Sequence, residues 1–201
     1  SVYKGENTKP GTDKVDSTSD KALMMKVKNG DLDKLGLLFE RYNRPLFSFF
    51  YRMCKDHDIS EDLVQSVFER MLKYRDSYSG NGTFTTWMFS IARNAHIDHY
   101  RKEKRCEVPV EIDEERLVNE EDETAIIDQK EQKRNVLEMA LEQLDVEKRE
   151  IVILSRYEGL KYKEIANILD TTEGAIKVKM FRAMKELKDL VTTLSEECSY
   201  E

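Results

Sequence analysis

The chain is poor in the residues that build strands, tight turns and disulfide frameworks. It has 8 Gly and 3 Pro in 201 residues, and the alternation of apolar and polar residues typical of strands is absent. Its 3 Cys lie far apart without a CxxC pair, which argues against a disulfide framework and fits reduced thiols in the cytoplasm. No apolar run approaches the roughly 20 residues of a membrane span, and no signal peptide opens the sequence. These absences favour an all-helical protein.

Charge is abundant and unevenly distributed. Charged residues make up 36% of the chain, hydrophobic residues 39%, and the net charge is −7. Residues 21–105 carry 16 basic and 11 acidic side chains, residues 106–130 carry 2 and 10, and residues 131–195 carry 12 of each. Because local charge governs contact with phosphate, the negative total does not exclude a nucleic-acid partner.

Helical periodicity divides the chain into two domains. We expect four helices in the first domain, with Pro45 as a kink or break in the second helix and Trp87 on the core stripe of the fourth. The predicted helix starts are Ser19 or Asp20, Asp31, Ser60 and about Phe84. The predicted segments are a flexible leader (1–18), a first domain (19–105), an acidic linker (106–130), a second domain (131–195) and a tail (196–201).

Residues 160–190 predict a short helix, a tight turn at Asp170–Thr172 and a longer helix with a basic outer face. A helical wheel that points the apolar stripe of the longer helix inward places Val178 and Arg182 directly outward. Such a helix-turn-helix inserts its second helix into the major groove of DNA. The alternative is a charged, solvated face with no partner.

Three segments in this order carry a family resemblance: DISEDLVQSVFERMLKY at 58–74, FTTWMFSIARNAHIDHYRKEKR at 84–105, and LDVEKREIVILSRYEGLKYKEIANILDTTEGAIKVKMFRAMKEL at 144–187. They resemble the extracytoplasmic-function (ECF) group of the sigma-70 family of bacterial sigma factors. The resemblance implies two small all-α domains joined by an acidic linker, the C-terminal one a helix-turn-helix (winged-helix-like) domain. It implies a non-enzymatic RNA polymerase subunit, without a cofactor, that binds core polymerase, recognises the −35 and −10 promoter elements and promotes DNA melting.

The resemblance also assigns surfaces. In the first domain it implies a base pocket at the loop 77–83 and Phe84, a basic track along the fourth helix, and docking of the third helix on the clamp coiled coil of the largest polymerase subunit. The second domain would contact the polymerase flap. The −35 residues would be Thr171, Lys177, Val178, Lys179, Phe181, Arg182 and Lys185. The −10 and melting residues would be Ser79, Asn81, Thr83, Phe84, Trp87, Arg93, Asn94, His96, Arg101, Lys102 and Arg105. The polymerase-binding residues would be Glu61, Asp62, Gln65 and Glu69.

Several alternatives stay open at this point. Trp87 serves as a wedge between bases or as core packing. Thr171 and Thr172 cap the longer helix or contact phosphate, and capping is favoured. The linker acts as a nucleic-acid mimic in the polymerase channels or as a solvated spacer. His96 and His99 have the spacing of a metal pair, but no third ligand is evident, which favours DNA-backbone contact or a surface role.

Two further readings concern partners. ECF sigma factors are commonly held by an anti-sigma protein, and the sequence does not show whether one exists here. The rival function is a two-domain helix-turn-helix regulator that binds duplex DNA without polymerase. The rival predicts tight duplex binding by the free chain, whereas a sigma factor binds weakly until core polymerase is added.

Overall fold

The computed structural model describes residues 19–106 and 129–197, with side chains described for 19–103 and 132–196. The predicted leader 1–18, nearly all of the linker and the end of the tail lie outside these ranges. Every regular element in the described ranges is helical. The all-α prediction is therefore confirmed for this part of the chain.

The first domain consists of four α-helices with one turn of 3₁₀-helix at Arg75–Ser77 before the last of them. The helices are α1 (Asp20–Lys28), α2 (Lys34–Cys54), α3 (His57–Lys73) and α4 (Phe84–Cys106). The start of α1 is as predicted, since the Ser19 hydroxyl accepts a hydrogen bond from the Ala22 N–H at 3.3 Å. This contact satisfies one of the free N–H groups at the helix start.

Two predicted boundaries in this domain are wrong. The cap of α3 is Asp56, whose carboxylate accepts from the Ile59 N–H at 3.0 Å, while Ser60 is fully buried inside the helix. The signal was ambiguous, because Asp and Ser are equally good caps. Helix α2 begins at Lys34, not at Asp31, and it continues through Pro45 without a break. Buried apolar residues on both sides of Pro45 hold the helix together by packing, which outweighs the lost N–H donor.

Aromatic rings fill the centre of the first domain. Phe49 is 1% exposed, and its ring lies 5.3 Å from that of Phe50 and 5.4 Å from that of Phe89. This cluster joins α2 to α4, while α3 packs on both helices. Trp87 is only half-buried and packs against the Tyr78 ring at 4.9 Å. The core face of α4 also includes Met88 and Phe89.

The second domain consists of four α-helices and one π-helical turn at Ile153–Tyr157. The helices are α5 (Gln129–Gln143), α6 (Val146–Val152), α7 (Tyr162–Ile168) and α8 (Glu173–Glu197). Helix α8 packs against the other three. Because residues 129–197 contain no strand, the helix-turn-helix has no wing in this range.

The tight turn predicted at Asp170–Thr172 joins α7 to α8. Asp170 adopts a left-handed backbone with φ of 51°, which Asp tolerates better than most residues because its short side chain bonds locally. The Thr172 hydroxyl accepts from the Ala175 N–H at 3.2 Å and so caps α8. These two residues fix the angle at which α8 leaves the turn.

No helix in the described ranges has the combination of length and apolar character needed to cross a bilayer.

Candidate nucleic-acid interface

The outer face of α8 is open to solvent. Phe181 is 73% exposed and Val178 is 51% exposed, whereas Ile176 and Met180 on the opposite side are buried. Lys177, Arg182 and Lys185 are exposed as well. The predicted orientation of this helix is confirmed, and it leaves two apolar side chains in a basic surrounding.

Ion pairs within the second domain hold part of this basic face. The Lys177 ammonium lies 2.8 Å from the Glu173 carboxylate, one turn earlier on the same helix. Lys179 bonds to Glu147 of α6. Arg182 and Lys185 make no ion pair with any side chain in the described ranges. These two cations are therefore the ones most readily offered to an anionic ligand.

The loop before α4 exposes polar side chains over a buried aromatic floor. Ser79 and Asn81 are exposed, and the Ser79 hydroxyl accepts from the Asn81 N–H at 3.1 Å. Tyr78 is 2% exposed beneath them, and its carbonyl accepts from the Lys28 ammonium at 2.6 Å. Helix α1 thus anchors the loop.

The prediction that Phe84 lines an open base pocket is wrong. It is 4% exposed, and its ring packs against Tyr42 at 5.2 Å and Tyr78 at 6.4 Å. As the first residue of α4, it turns inward to complete the core. A base could stack on its ring only if this core opened. Trp87, one turn later, has the partly buried position that fits the core-packing alternative.

The second half of α4 forms a polar cleft with the end of α3. Asn94, Arg101 and Lys102 are exposed, and the first two line a cleft of about 440 Å³. Tyr74, 46% exposed, lies on the same cleft and was missed by the sequence prediction. An aromatic residue at the end of a helix beside a basic stretch is the signal that could have identified it. The side chain of Arg105 lies outside the described ones.

The predicted polymerase-binding residues share one exposed side of α3. Glu61, Asp62, Gln65 and Glu69 are all exposed. Glu61 and Gln65 line a groove of about 680 Å³ between α2 and α3.

Aromatic residues of α2 line the other wall of this groove. Phe39 of α2 is 44% exposed, and its ring lies 5.0 Å from the Phe68 ring. Phe47 faces the groove next to His57, with their rings 5.1 Å apart. The apolar stripe of α2 is wider than the face that packs in the core. The sequence pattern therefore could not distinguish these exposed rings from the buried ones.

Acidic side chains of the second domain meet basic and hydroxyl groups of the first, and we call this surface the interdomain contact. The Glu164 carboxylate accepts from the Thr83 hydroxyl at 2.7 Å. The Glu150 carboxylate lies 3.2 Å from Nε of Arg93. Further contacts involve Arg52 at the end of α2, Lys55 just after it, Thr86 of α4, and Glu138 and Glu142 of α5.

Burial shifts the pKa of Glu150, in the interdomain contact, and of His96, on α4. Burial raises the pKa of Glu150, and the Arg93 guanidinium opposes the rise. Burial lowers the pKa of His96, with further lowering by the positive charges around it. His96 is therefore neutral at pH 7, which weakens it as a phosphate contact. The described residues hold no group of three or more His, Cys, Asp and Glu side chains placed to bind a metal.

Glu158, near Arg52, gives the stability of the protein a measurable pH dependence. Burial raises its pKa from the ordinary 4.5 to about 7, while Arg52 opposes the rise. A carboxyl group with a raised pKa holds its proton more tightly in the folded state, so its effect on stability becomes unfavourable as the pH rises from about 4.5 to 7. We expect Glu158→Gln to raise the melting temperature at pH 8 and to change it little at pH 5.

Circular dichroism melts of the wild type and the variant at both pH values check this. The control is Glu196→Gln, an exposed position where no pH-dependent difference is expected. An equal change in melting temperature at pH 5 and pH 8 for Glu158→Gln would contradict the prediction.

Comparison with known proteins gives a consistent result. The Sigma-70 region 2 family matches residues 38–106, and the Sigma-70 region 4 family matches residues 134–187. The ECF RNA polymerase sigma factor SigX of Bacillus subtilis is 30% identical over 172 residues, covering 80% of this chain and 85% of SigX. The ECF RNA polymerase sigma-E factor of Escherichia coli K12 is 27% identical over 184 residues, covering 88% and 96% of the two chains.

Two solved structures share the fold. CnrH, in complex with the cytosolic domain of CnrY, has a TM-score of 0.65 and 21% identity, covering 87% of this chain and 97% of CnrH. The sigma factor RpoE, in complex with the anti-sigma factor NepR from Bartonella quintana, has a TM-score of 0.62 and 24% identity, covering 78% and 96%.

Proposed function

Since the chain belongs to the ECF group of the sigma-70 family of RNA polymerase sigma factors, we propose how its surfaces divide the work of promoter recognition. Helix α8 reads the −35 element, the loop 77–83 and α4 hold the −10 element, and the α2–α3 groove docks on core polymerase. The observation that carries the proposal is the outer face of α8, where exposed cations surround two exposed apolar side chains. Solvent alone gives no reason for that combination, whereas a major groove offers phosphates and base edges.

At the −35 element, Arg182 is the candidate for base recognition. It points outward, is exposed and has no ion-pair partner in the described ranges, so its guanidinium is available for a bidentate contact with a guanine. Lys185, one turn further from the start of α8, suits a phosphate contact. Lys177 and Lys179 would have to leave their carboxylate partners before they could contact DNA. Thr171, in the turn before α8, is the remaining −35 candidate.

At the −10 element, the open polar loop supplies Ser79 and Asn81, and the α4 cleft supplies Asn94 and Arg101. Single-stranded bases need an aromatic surface beside a basic track. The exposed ring of Tyr74 is better placed for that role than the buried ring of Phe84. Tyr74 therefore joins the proposed −10 residues.

For polymerase, the groove between α2 and α3 combines an acidic rim with exposed aromatic rings. Glu61, Asp62, Gln65 and Glu69 would meet basic groups on the clamp coiled coil and set orientation and association rate. The rings of Phe39 and Phe47 would add apolar burial. The second domain would rest on the flap.

The remaining assignments complete this proposal. The chain works in the cytoplasm and supplies recognition, while the core enzyme supplies the chemistry. An anti-sigma protein is proposed as a regulator, because the similar RpoE is known in complex with the anti-sigma factor NepR.

The acidic linker would occupy basic nucleic-acid channels of polymerase. Neutralising its ten acids (in residues 106–130) should then alter abortive synthesis, and unchanged initiation would favour a plain spacer.

Run-off transcription with purified core polymerase and a promoter library tests the function. We expect transcripts from a subset of promoters that share two elements, only when the chain is added. The rival regulator function requires tight and specific duplex binding by the free chain. Gel-shift titration with and without core polymerase separates the two.

Val178 and Phe181 predict a preference for thymine at the −35 element. They are exposed, three residues apart on one face, and apolar side chains in the major groove contact the thymine methyl group. Replacing such a thymine by uracil removes one methyl group, which is worth about 0.8 kcal/mol when buried, roughly a fourfold loss of affinity.

Competition binding of the holoenzyme to duplexes with single thymine-to-uracil changes measures this loss. In the double variant Val178→Ser and Phe181→Ala, the same changes should have no effect. Wild-type holoenzyme that tolerates uracil at every −35 position would contradict the prediction.

A further inference from the structure

We propose that Lys28 and Tyr42 are positioning residues for promoter melting, because they tie the two ends of the loop 77–83 to helix α1. The loop then has the shape that holds an unstacked base before the base arrives. The inference rests on the proposed function for the identity of that base. The contacts that hold the loop are features of the fold.

The start of the loop is fixed by a charge-assisted hydrogen bond. The ammonium of Lys28, the last residue of α1, donates to the Tyr78 carbonyl at 2.6 Å. The Tyr78 ring is buried, but its hydroxyl has no hydrogen-bond partner among the described residues. A bond from a charged donor is stronger than one between neutral groups. Lys28 therefore supplies a strong polar link between α1 and the start of the loop.

The end of the loop is fixed through Tyr42. The Tyr42 hydroxyl donates at 2.5 Å to the carboxylate of Asp20, the first residue of α1. Arg41 bonds to the other oxygen of that carboxylate at 2.6 Å. The Tyr42 ring packs against Phe84, the residue that follows the loop, with the ring centres 5.2 Å apart. Asp20 therefore holds Tyr42 in place, and Tyr42 holds Phe84.

Helix α1 is a rigid support between these two contacts. Asp20 and Lys28 lie at its opposite ends, about 12 Å apart at a rise of 1.5 Å per residue, and its apolar face is buried in the core. Between the two ends of the loop, Gly80 is buried and has a φ of 69°. A Cβ on Gly80 would lie 3.3 Å from Cε of Lys21. The loop therefore meets α1 at its middle as well.

The opposite side of the loop is open to a ligand. Ser79 and Asn81 are exposed, whereas Tyr78 and Gly80 are buried. Extruding a base from the stack is already unfavourable. A loop that had to become ordered in the same step would lower the equilibrium constant further, about 5- to 30-fold for each residue fixed. A loop that α1 has already ordered avoids this loss.

The experiment compares full-length variants reconstituted with core polymerase. Lys28→Met keeps an unbranched apolar side chain and removes the donor, and Lys28→Arg restores a donor. The matched control is Lys34→Met, which removes the same charge from the start of α2, where the ammonium lies 3.9 Å from Asp31. Fluorescence of 2-aminopurine in the −10 element of a promoter found by run-off transcription measures opening. We expect Lys28→Met to lower the equilibrium constant for opening about tenfold, Lys28→Arg to recover most of it, and the control to match the wild type.

Base discrimination separates positioning from other roles of Lys28. Single strands that carry each of the four bases in turn at every −10 position compete for holoenzyme. A lysine that contacted phosphate would, when replaced, weaken all four strands equally, because phosphate contacts carry no sequence information. For a positioning residue, we expect Lys28→Met to reduce discrimination at one −10 position about tenfold while its affinity for core polymerase stays unchanged.

Tyr42→Phe tests the other end of the loop. It removes the hydroxyl that bonds to Asp20 and keeps the ring that packs against Phe84, so the domain should still fold. We expect the same two losses at a smaller size, about threefold each. Tyr51→Phe is the matched control, because Tyr51 is an exposed tyrosine on the same helix, and it should match the wild type.

If Lys28→Met and Tyr42→Phe both open the promoter and discriminate bases as the wild type does, the inference is wrong. Equal weakening of all four strands by Lys28→Met also overturns it, and so does a loss of affinity for core polymerase that accounts for the reduced opening. Absence of open complexes with wild-type holoenzyme on every promoter of the library would instead overturn the proposed function.

Discussion

Replacing Arg182 by alanine should weaken holoenzyme binding by about 1–3 kcal/mol, roughly 5- to 150-fold, at one base pair of the −35 element. Arg182 points away from the core of the second domain and is exposed in the centre of the outer face of α8. A bidentate guanidinium contact is lost completely on truncation, and the base pair that it read then tolerates substitution. The loss should therefore depend on the DNA sequence.

Selection of −35 sequences by wild-type and Arg182→Ala holoenzyme measures this effect. The matched control is Lys185→Ala, which removes a cation from the same face and should weaken all sequences equally while reducing the salt dependence. If Arg182→Ala also weakens all sequences equally, the guanidinium contacts phosphate and the proposed role in base recognition is wrong.

Replacing Phe49 by alanine should destabilise the first domain by about 3–5 kcal/mol. Its ring is 1% exposed between the rings of Phe50 and Phe89, so truncation removes buried area and leaves a cavity between α2 and α4. A loss of that size is a large part of the stability of a small domain, typically about 5–15 kcal/mol.

Urea unfolding followed by circular dichroism measures the destabilisation. Phe39→Ala is the matched control on the same helix, because Phe39 is 44% exposed and its truncation should cost less than about 1 kcal/mol. The same control variant should weaken polymerase binding, since Phe39 lines the proposed docking groove. Similar losses of stability at the two positions would show that the assigned core is wrong.

The sequence was sufficient to predict the secondary structure class and the orientation of α8. Periodicity alone placed Val178 and Arg182 outward, because a helix of 25 residues with one apolar stripe turns that stripe toward the core. Asp170 was likewise expected to support the turn, and its left-handed backbone confirms that. Local chemistry is enough to predict a turn where few residue types tolerate the backbone conformation that the turn needs.

The sequence could not predict features that depend on two elements meeting. Phe84 and Tyr74 are both aromatic residues near the proposed −10 surface, and only packing decides that Phe84 is buried and Tyr74 exposed. Asp56 and Ser60 both suit a helix start, so the choice between them lay in the burial of Ser60. Glu150 and Glu164 look like ordinary solvated acids in sequence, and their partners are in the other domain.

Helix α1 shows that a boundary drawn by family similarity can divide a folded unit. The region 2 match starts at residue 38, whereas α1 ends at Lys28, buries Leu23, Met24 and Val27, and holds the Tyr78 carbonyl through Lys28. A chain trimmed to start at residue 38 would keep every matched position and still lose the support beneath the loop 77–83, which we propose holds the −10 element. Transplanting this module into another protein therefore calls for a cut before Ser19.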